Sequence, residues 1–451
     1  MKKINYLLIA VLIIISITNL AAQSFGGGTG IASDPYIIST VSHLQSMHNA
    51  DYTNPLYFKM TVDLDVATES WVPVNAVDPY SKVINFDGNG HVIKNLTVTG
   101  TSYASLFGVL CGSCKNLGVI NANVESTSGA GIIAGYAGLK GPNKPTGIIE
   151  NCFTTGKVSG TDAVGGIVGN IGKPNGAELS QVKNCYSTAS VTARNITGNS
   201  RAGGIVGINF SGGIVENCYA TGNVTSSLAG AGGIAGWSDT NISGCVAMND
   251  SIINKSTGNL GRVSAFMGSV NKIIAQGVNC WGYEGTVMKN AETILLQKDM
   301  NQAEVTVANG SYDGLTKSLS YLSDPMSYFL ELNWDFASDN NIWAQTMSNG
   351  YPIFQWLFKR GDYSLIDGHS TATSIENNYV NPTRIFVRDK TLFIESDNVI
   401  NAFNVYNTTG QLIHRNISLD TKSISVVLEQ KGVFVISLFS NRKWDSYKLV
   451  N

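Results

Sequence analysis

The chain predicts an all-β protein: a right-handed parallel β-helix with capping segments at both ends, followed by a small antiparallel β-sandwich. Three observations predict this. Two short motifs alternate through the middle of the chain with a period near 33 residues. The segments between them are rich in Val, Ile, Thr and Tyr, punctuated by Gly and Asn, and no helical period runs between residues 56 and 290. Charged residues make up only 14% of the 451, against about 25% in ordinary soluble domains. A repeat of this size cannot bury its own apolar side, whereas stacked repeats bury a continuous one. The handedness follows from the general preference of parallel crossovers.

The elements follow in order. Residues 1–22 form a signal peptide: Lys2 and Lys3, an apolar run from Leu7 to Ile17, and small residues ending at Ala22. No Cys follows Ala22, so no lipid anchor is expected. No other stretch reaches roughly 18 apolar residues, so no transmembrane segment is expected. The mature protein is expected outside the cytoplasm, secreted or on the outer cell surface. Residues 23–55 are a lead-in with a cap helix from Val41 to Asn49. Residues 56–290 are the coils, and 291–360, rich in Trp and Phe, cap the last of them. Open coils would otherwise expose apolar interior and unpaired edges. Residues 361–379 are polar and irregular and read as a linker. Residues 380–451 alternate short strands with turns and read as the sandwich.

The first motif is apolar-x-Asn-Cys-aromatic. It occurs at 149–153, 182–186 and 215–219, with looser copies at 242–246 and 277–281. Ile93-Lys94-Asn95-Leu96 and Cys114-Lys115-Asn116-Leu117 fit it with Leu in the Cys place. The second is Gly-Gly-Ile-Val-Gly, at 165–169 and 203–207, with Ala for Val at 232–236. Parallel coils stack about 4.8 Å apart, so equivalent residues should form ladders. One expected column is Ile93, Cys114, Ile149, Val182, Val215 and Ile242. A second is Leu96, Leu117, Cys152, Cys185, Cys218, Cys245 and Cys280, where Cys interchanges with Leu and so reads as a small interior hydrophobe. A structural ladder of Asn95, Asn116, Asn151, Asn184, Asn217 and Asn279 lies between them. Asn tolerates left-handed backbone, and its amide can bond to the coils above and below.

These Gly-Gly-Ile-Val-Gly and Asn-Cys-Tyr-x-Thr units resemble the GLUG-motif repeats of bacterial surface proteins and adhesins. The lead-in (Asp34-Pro35-Tyr36, Trp71-Val72-Pro73) and Asn333-Trp334-Asp335-Phe336 are similar as well. The resemblance covers roughly residues 25 to 358. It implies the scaffold and no particular ligand, since the family shares no single reaction. The last 70 or so residues resemble a type IX secretion C-terminal sorting domain, through Asn381-Pro382, Asn404 to Gln411, Lys431 to Val435 and the terminal Lys448-Leu449-Val450. This implies secretion and sorting machinery as a partner of residues 380–451. The Pro-Asn-Pro start usual in such tails is reduced here to Asn-Pro.

Candidate chemistry is sparse. Net charge is −2 with no basic run past the first residues, which argues against nucleic acid. The C-x-x-C at Cys111 and Cys114 lacks a second Cys pair. It reads as structural, with a local disulfide open to it. The five His (43, 48, 91, 369 and 414) make no metal motif. There is no Gly-x-Ser-x-Gly, His-Glu-x-x-His or Walker loop, and no cofactor or metal is expected. Asp87-Gly88-Asn89-Gly90 reads as a hairpin-type turn. The column Lys94, Lys115, Glu150, Lys183, Glu216 reads as a solvated charge ladder, and no catalytic residue is assigned. The candidate ligand-binding row is Phe153, Tyr186, Tyr219 and Trp281. Each follows an inward Cys, so alternation points it outward, where a flat aromatic row could stack on sugars or a protein partner. The expected function is a non-catalytic adhesin-like scaffold for a glycan or surface protein. The alternatives are a polysaccharide lyase or glycoside hydrolase on the same fold, and a structural envelope protein.

Overall fold

The computed structural model describes residues 25–450 except 69, 77–81, 139–144, 173–178, 271–272, 275–276, 292, 296–305, 308–310, 337–341, 346–350, 361–382, 389–390, 408–411, 429–432 and 441–442. The expected signal peptide, the linker and the Asn381-Pro382 start of the tail lie outside the described residues. The chain divides into two compact units, Met1–Thr316 and Lys317–Asn451.

The first unit is a stack of parallel coils. One coil consists of Gly147–Glu150, Phe153–Gly160, Val164–Gly165 and Val168–Ile171. Each strand pairs in parallel with its counterpart one repeat later: Val182 with Val215, Tyr186 with Tyr219, Val191 with Val224, Ala202 with Ala231 and Val206 with Ala235. The interior is one contiguous apolar core running from Phe25 to Tyr312. The glycine pairs sit where the backbone passes closest to itself. A Cβ on Gly165 would lie 2.1 Å from the Val168 carbonyl oxygen, and one on Gly166 2.2 Å from that of Gly204, so only glycine fits.

The cysteines are interior side chains. Cys152, Cys185, Cys218, Cys245 and Cys280 are 0–1% exposed. The Cys185 N–H donates to Cys218 Sγ at 3.4 Å across the coil boundary. Each thiol donates to the carbonyl two residues before it, as Cys185 does to Lys183 at 3.2 Å. No disulfide joins any of the seven cysteines. Cys114 belongs to the interior core with Cys152, whereas Cys111 lies outside that core, so strand alternation turns the two side chains apart.

The asparagine corners are left-handed. Asn116, Asn151, Asn184, Asn217 and Asn279 have φ of 50–53°. Their amides link coil to coil: Asn184 Nδ2 donates to Asn151 Oδ1 at 3.3 Å, Asn151 to Asn116 at 3.2 Å and Asn116 to Asp87 Oδ1 at 3.0 Å.

The register corrects the upper end of each expected column. Ile93 pairs with Val119, and Cys114 lies under Phe86. Asn95 belongs to a different corner, where its amide donates to Asp65 Oδ1 at 2.9 Å and its Oδ1 accepts from Asn121 at 2.6 Å. Leu96 follows it there, its carbonyl accepting from Asn123 N–H at 2.8 Å, so it does not sit over Leu117. The physical reason is that both corners need a left-handed Asn followed by an inward apolar residue, so both produce the same local sequence. Asp87 to Gly90 likewise forms no hairpin. It is a corner inside the strand Val83–Lys94, which pairs in parallel on both sides.

Both ends of the stack are covered. The helix Val41–Ser46, capped by Thr40, continues as the 3-10 turn Met47–Asn49 and buries Leu44 and Met47 over the first coil's core. At the other end the Tyr312 carbonyl accepts from Val263 and Ser264 at 3.2 and 2.9 Å. The fully buried Arg262 pairs there with Asp313 and donates to the carbonyls of Gly282 and Tyr283.

The second unit contains the helices Leu319–Leu322, Pro325–Leu332 and Gln355–Arg360. An aromatic cluster joins Tyr328, Trp334, Trp343 and Phe354 with ring centroids 4.6–4.9 Å apart. Its last five strands form an antiparallel sheet around Leu392, Ile394, Phe403, Val405, Ile436 and Leu438.

Candidate functional site

The aromatic row is buried. Phe153, Tyr186, Tyr219 and Trp281 are 0–1% exposed, although they point away from the interior core that holds the cysteines. Register places them in one column: Gly118, Phe153, Tyr186, Tyr219, Val246, Trp281. The rings stack face to face, with centroids 5.0 Å apart at 10° for Phe153 and Tyr186, and 4.8 Å at 4° for Tyr186 and Tyr219. A Cβ on Gly118 would lie 2.4 Å from the Phe153 ring. Tyr186 is stacked on both faces and all four side chains are buried, so no exposed face remains for a sugar. Alternation gave the direction correctly, and the expected binding role fails on burial.

The charged column is more regular than the motif copies suggested. Pairing runs Lys59, Asp87, Lys115, Glu150, Lys183, Glu216, alternating in sign at every step. Lys183 and Glu216 approach to 3.1 Å, and Lys115 and Asp87 to 3.6 Å. Lys94 sits one corner further on, 4.0 Å from Asp63. Glu150 and Glu216 are two coils apart with Lys183 between them. Alternating charges one coil apart suit a ladder of favourable neighbours. Among the described residues no group of three or more His, Cys, Asp or Glu is placed to hold a metal ion.

Among the described residues, a surface with room for a ligand lies at the other corner. An open groove of about 760 Å³ is lined by Ala67, Asn95, Thr97, Asn121, Ala122, Asn123, Gly156, Lys157 and Ser190. The backbone turns left-handed on three successive coils there, with φ of 62° at Asn95, 53° at Asn121 and 110° at Gly156. Thr97, Asn123, Lys157 and Ser190 pair in register, so their side chains line one flank at the coil spacing. At about 4.8 Å per coil the five contributing coils give a groove about 19 Å long. Sequence reasoning missed it because, Asn95 apart, its residues lie outside both repeated motifs. The one available signal was Asn121-Ala122-Asn123 one coil after Asn95-Leu96-Thr97.

Two other constellations were not legible in the sequence. Arg201 holds Asp162 through its Nε at 3.0 Å and lies 5.7 Å from the Trp237 ring centre. Ser39 Oγ lies 3.3 Å from His43 Nδ1, but that nitrogen also accepts the Ser39 backbone N–H at 3.3 Å. Its lone pair is therefore engaged locally, as in a helix-capping arrangement.

Fold and site together define a class of protein: a stacked parallel β-coil with left-handed asparagine corners and a polar, open outer groove. The GLUG motif matches residues 198–225, which include one Gly-Gly-Ile-Val-Gly unit and one Asn-Cys-Tyr corner. A stretch of 157 residues, 32% of this chain, is 30% identical to Halomucin of Haloquadratum walsbyi, and the chain spans 2% of that protein's length. A crystal structure of a Bacteroides ovatus protein, provisionally assigned as an immunoglobulin A1 protease, superposes with a TM-score of 0.64 at 34% identity. It covers 74% of this chain and 95% of its own. The chain therefore carries a GLUG motif within its repeated coils. No helix among the described residues is long and apolar enough to cross a membrane.

Proposed function

We propose that this protein is a secreted or cell-surface, non-catalytic, adhesin-like scaffold that binds a glycan along the groove between Ala67 and Ser190. The groove carries this reading: an open trough of hydroxyls and amides at regular spacing suits a chain of sugar hydroxyls, and its length suits several linked rings. The two relatives' names, a mucin-like one and one describing an enzyme that acts on a secreted immunoglobulin, agree with a place outside the cell. In the same reading the coils are right-handed, the five terminal strands fold over as a sandwich, residues 1–22 direct export, and residues 380–451 engage the sorting machinery. Peptidase action, suggested by the second name, finds little support: the Ser39–His43 pair has its imidazole lone pair engaged by backbone.

The test is a glycan array with the full chain, followed by assay of every hit for cleavage. Binding without product, lost in Asn123→Arg at unchanged melting temperature, is the expected result, because that substitution fills the groove from a half-buried position on its wall. Released product overturns the non-catalytic reading, and binding untouched by Asn123→Arg overturns the site. Deleting residues 380–451 should leave the protein inside the cell envelope. Unchanged export would remove the sorting role.

A further inference from the structure

We propose that the groove selects anionic glycans, bearing carboxylate or sulfate, over neutral ones; this rests on the groove being a glycan site. Its polar lining is neutral except at one place. Asn95, Thr97, Asn121, Asn123 and Ser190 carry amides and hydroxyls, and Lys157 carries the one formal charge. The Lys157 side chain is exposed and enters no ion pair or hydrogen bond among the described residues. Several other cations of the coils are matched: Lys115 by Asp87, Lys183 by Glu216, Arg201 by Asp162 and Arg194 by Glu125.

The carboxylates nearest the groove do not neutralise Lys157. Glu125 lies two residues beyond Asn123 on the same strand and is held by Arg194 Nη1 at 2.7 Å. Asp65 stands at the far end, where its Oδ1 accepts from Asn95 Nδ2 at 2.9 Å and Ala67 N–H at 3.0 Å. The groove therefore presents one uncompensated ammonium beside Asn123, whose amide makes no hydrogen bond to a described residue. Asn123 and Lys157 occupy paired positions on adjacent coils. An ammonium with a neighbouring amide N–H offers an acidic oxygen two donors a coil rise apart. A neutral hydroxyl gains only an ordinary hydrogen bond from the same pair, whereas a charged acceptor makes the stronger bond.

The test uses paired probes on the full chain: oligogalacturonate against its carboxyl-reduced form, and dextran sulfate against dextran, each by calorimetric titration at low and high salt. The expected result is binding to at least one anionic member and roughly tenfold weaker binding to its neutral partner. That preference should be lost in Lys157→Met and weakened by salt. The exposed position lets Lys157→Met keep its melting temperature, which is measured alongside. The carboxylate and sulfate arms tell the two sources of the anion apart. Equal affinity for both members of a pair, or a preference that survives Lys157→Met, overturns the selectivity while leaving a glycan site standing. No binding to any of the four probes, with the array also blank, overturns the glycan site itself.

Discussion

The asparagine corner gives a prediction in which the usual order of two substitutions reverses. Asn151, Asn184 and Asn217 sit at φ of 50–53°, and Asn184 Nδ2 donates to Asn151 Oδ1 at 3.3 Å. Replacing all three by Ala removes the amide ladder, at about 0.5–1.5 kcal/mol per bond, and forces a Cβ into left-handed backbone at about 1–2 kcal/mol per residue. Replacing all three by Gly removes the same ladder and adds only the entropic cost of Gly, about 0.5–1 kcal/mol each. The ladder loss is common to both series, so their difference isolates the backbone. The Gly triple should therefore be more stable than the Ala triple by about 2 kcal/mol, the mid-range strain less the mid-range Gly entropy at three sites. In an ordinary strand Ala would win. The protein carries its own precedent, since Gly244 occupies the same corner one coil on, at φ 59°. Thermal melts of the full chain read the difference as a shift of a few degrees. An Ala triple as stable as the Gly triple would refute the claim that left-handed backbone, and not only amide bonding, places Asn there.

Four further expectations follow from the packing. Burial pushes the thiols of Cys114, Cys185 and Cys245 well above their usual range, so a thiol reagent at neutral pH should label them only after denaturant is added. Cys218→Ser should cost about 1–3 kcal/mol by placing a hydroxyl in the same interior, measured by denaturant melt against Cys218→Ala. Arg262→Met strands the buried Asp313 and should cost about 3–5 kcal/mol, while adding Asp313→Leu should recover most of that loss; a double variant no better than the single one would show the pair is not the cause. Burial also raises the Tyr186 phenol well above its usual value. The unfolded chain then releases that proton near pH 10 while the folded chain keeps it, so this contribution is full below pH 10 and is lost as pH rises past it. Tyr186→Phe should flatten that alkaline loss, as read by stability against pH from 8 to 11.

How much was legible depends on what repeats. The Cys, Asn and Gly-Gly positions recur through the chain, so their stacking could be read without coordinates. The sequence pattern failed where two corners use the same chemistry. Ile93-Lys94-Asn95-Leu96 and Cys114-Lys115-Asn116-Leu117 look like successive copies, yet Asn95 bonds to Asn121 and Asn116 to Asp87. A left-handed Asn followed by an inward apolar residue says that a corner is present and not which one. The outward column failed for another reason. Period 2 fixes the side of the sheet a ring occupies, but exposure depends on what lies beside it, and Tyr186 lies between two other rings.

The two corners also explain where a ligand surface can arise on such a fold. The corner at Asn116, Asn151, Asn184 and Asn217 is regular, and the coils from Asn116 to Asn184 bond one to the next through the same amide. A change at that position disturbs two neighbouring coils, so it can contribute little that is specific to one place on the surface. The second corner changes as it descends. Asn95 and Asn121 are followed by the glycine turn at Gly156, where the pairing register shifts between Thr154 and Gly156. Irregular turns break the flat outer face into a trough, and the residues flanking it differ coil by coil: Thr97, Asn123, Lys157, Ser190. The inward side of the same strands still supplies Val98, Val124, Val158 and Val191 to the core. Period-2 alternation thus uncouples the two faces: the valines keep the stack intact while the residue before each is free to set the chemistry of the groove.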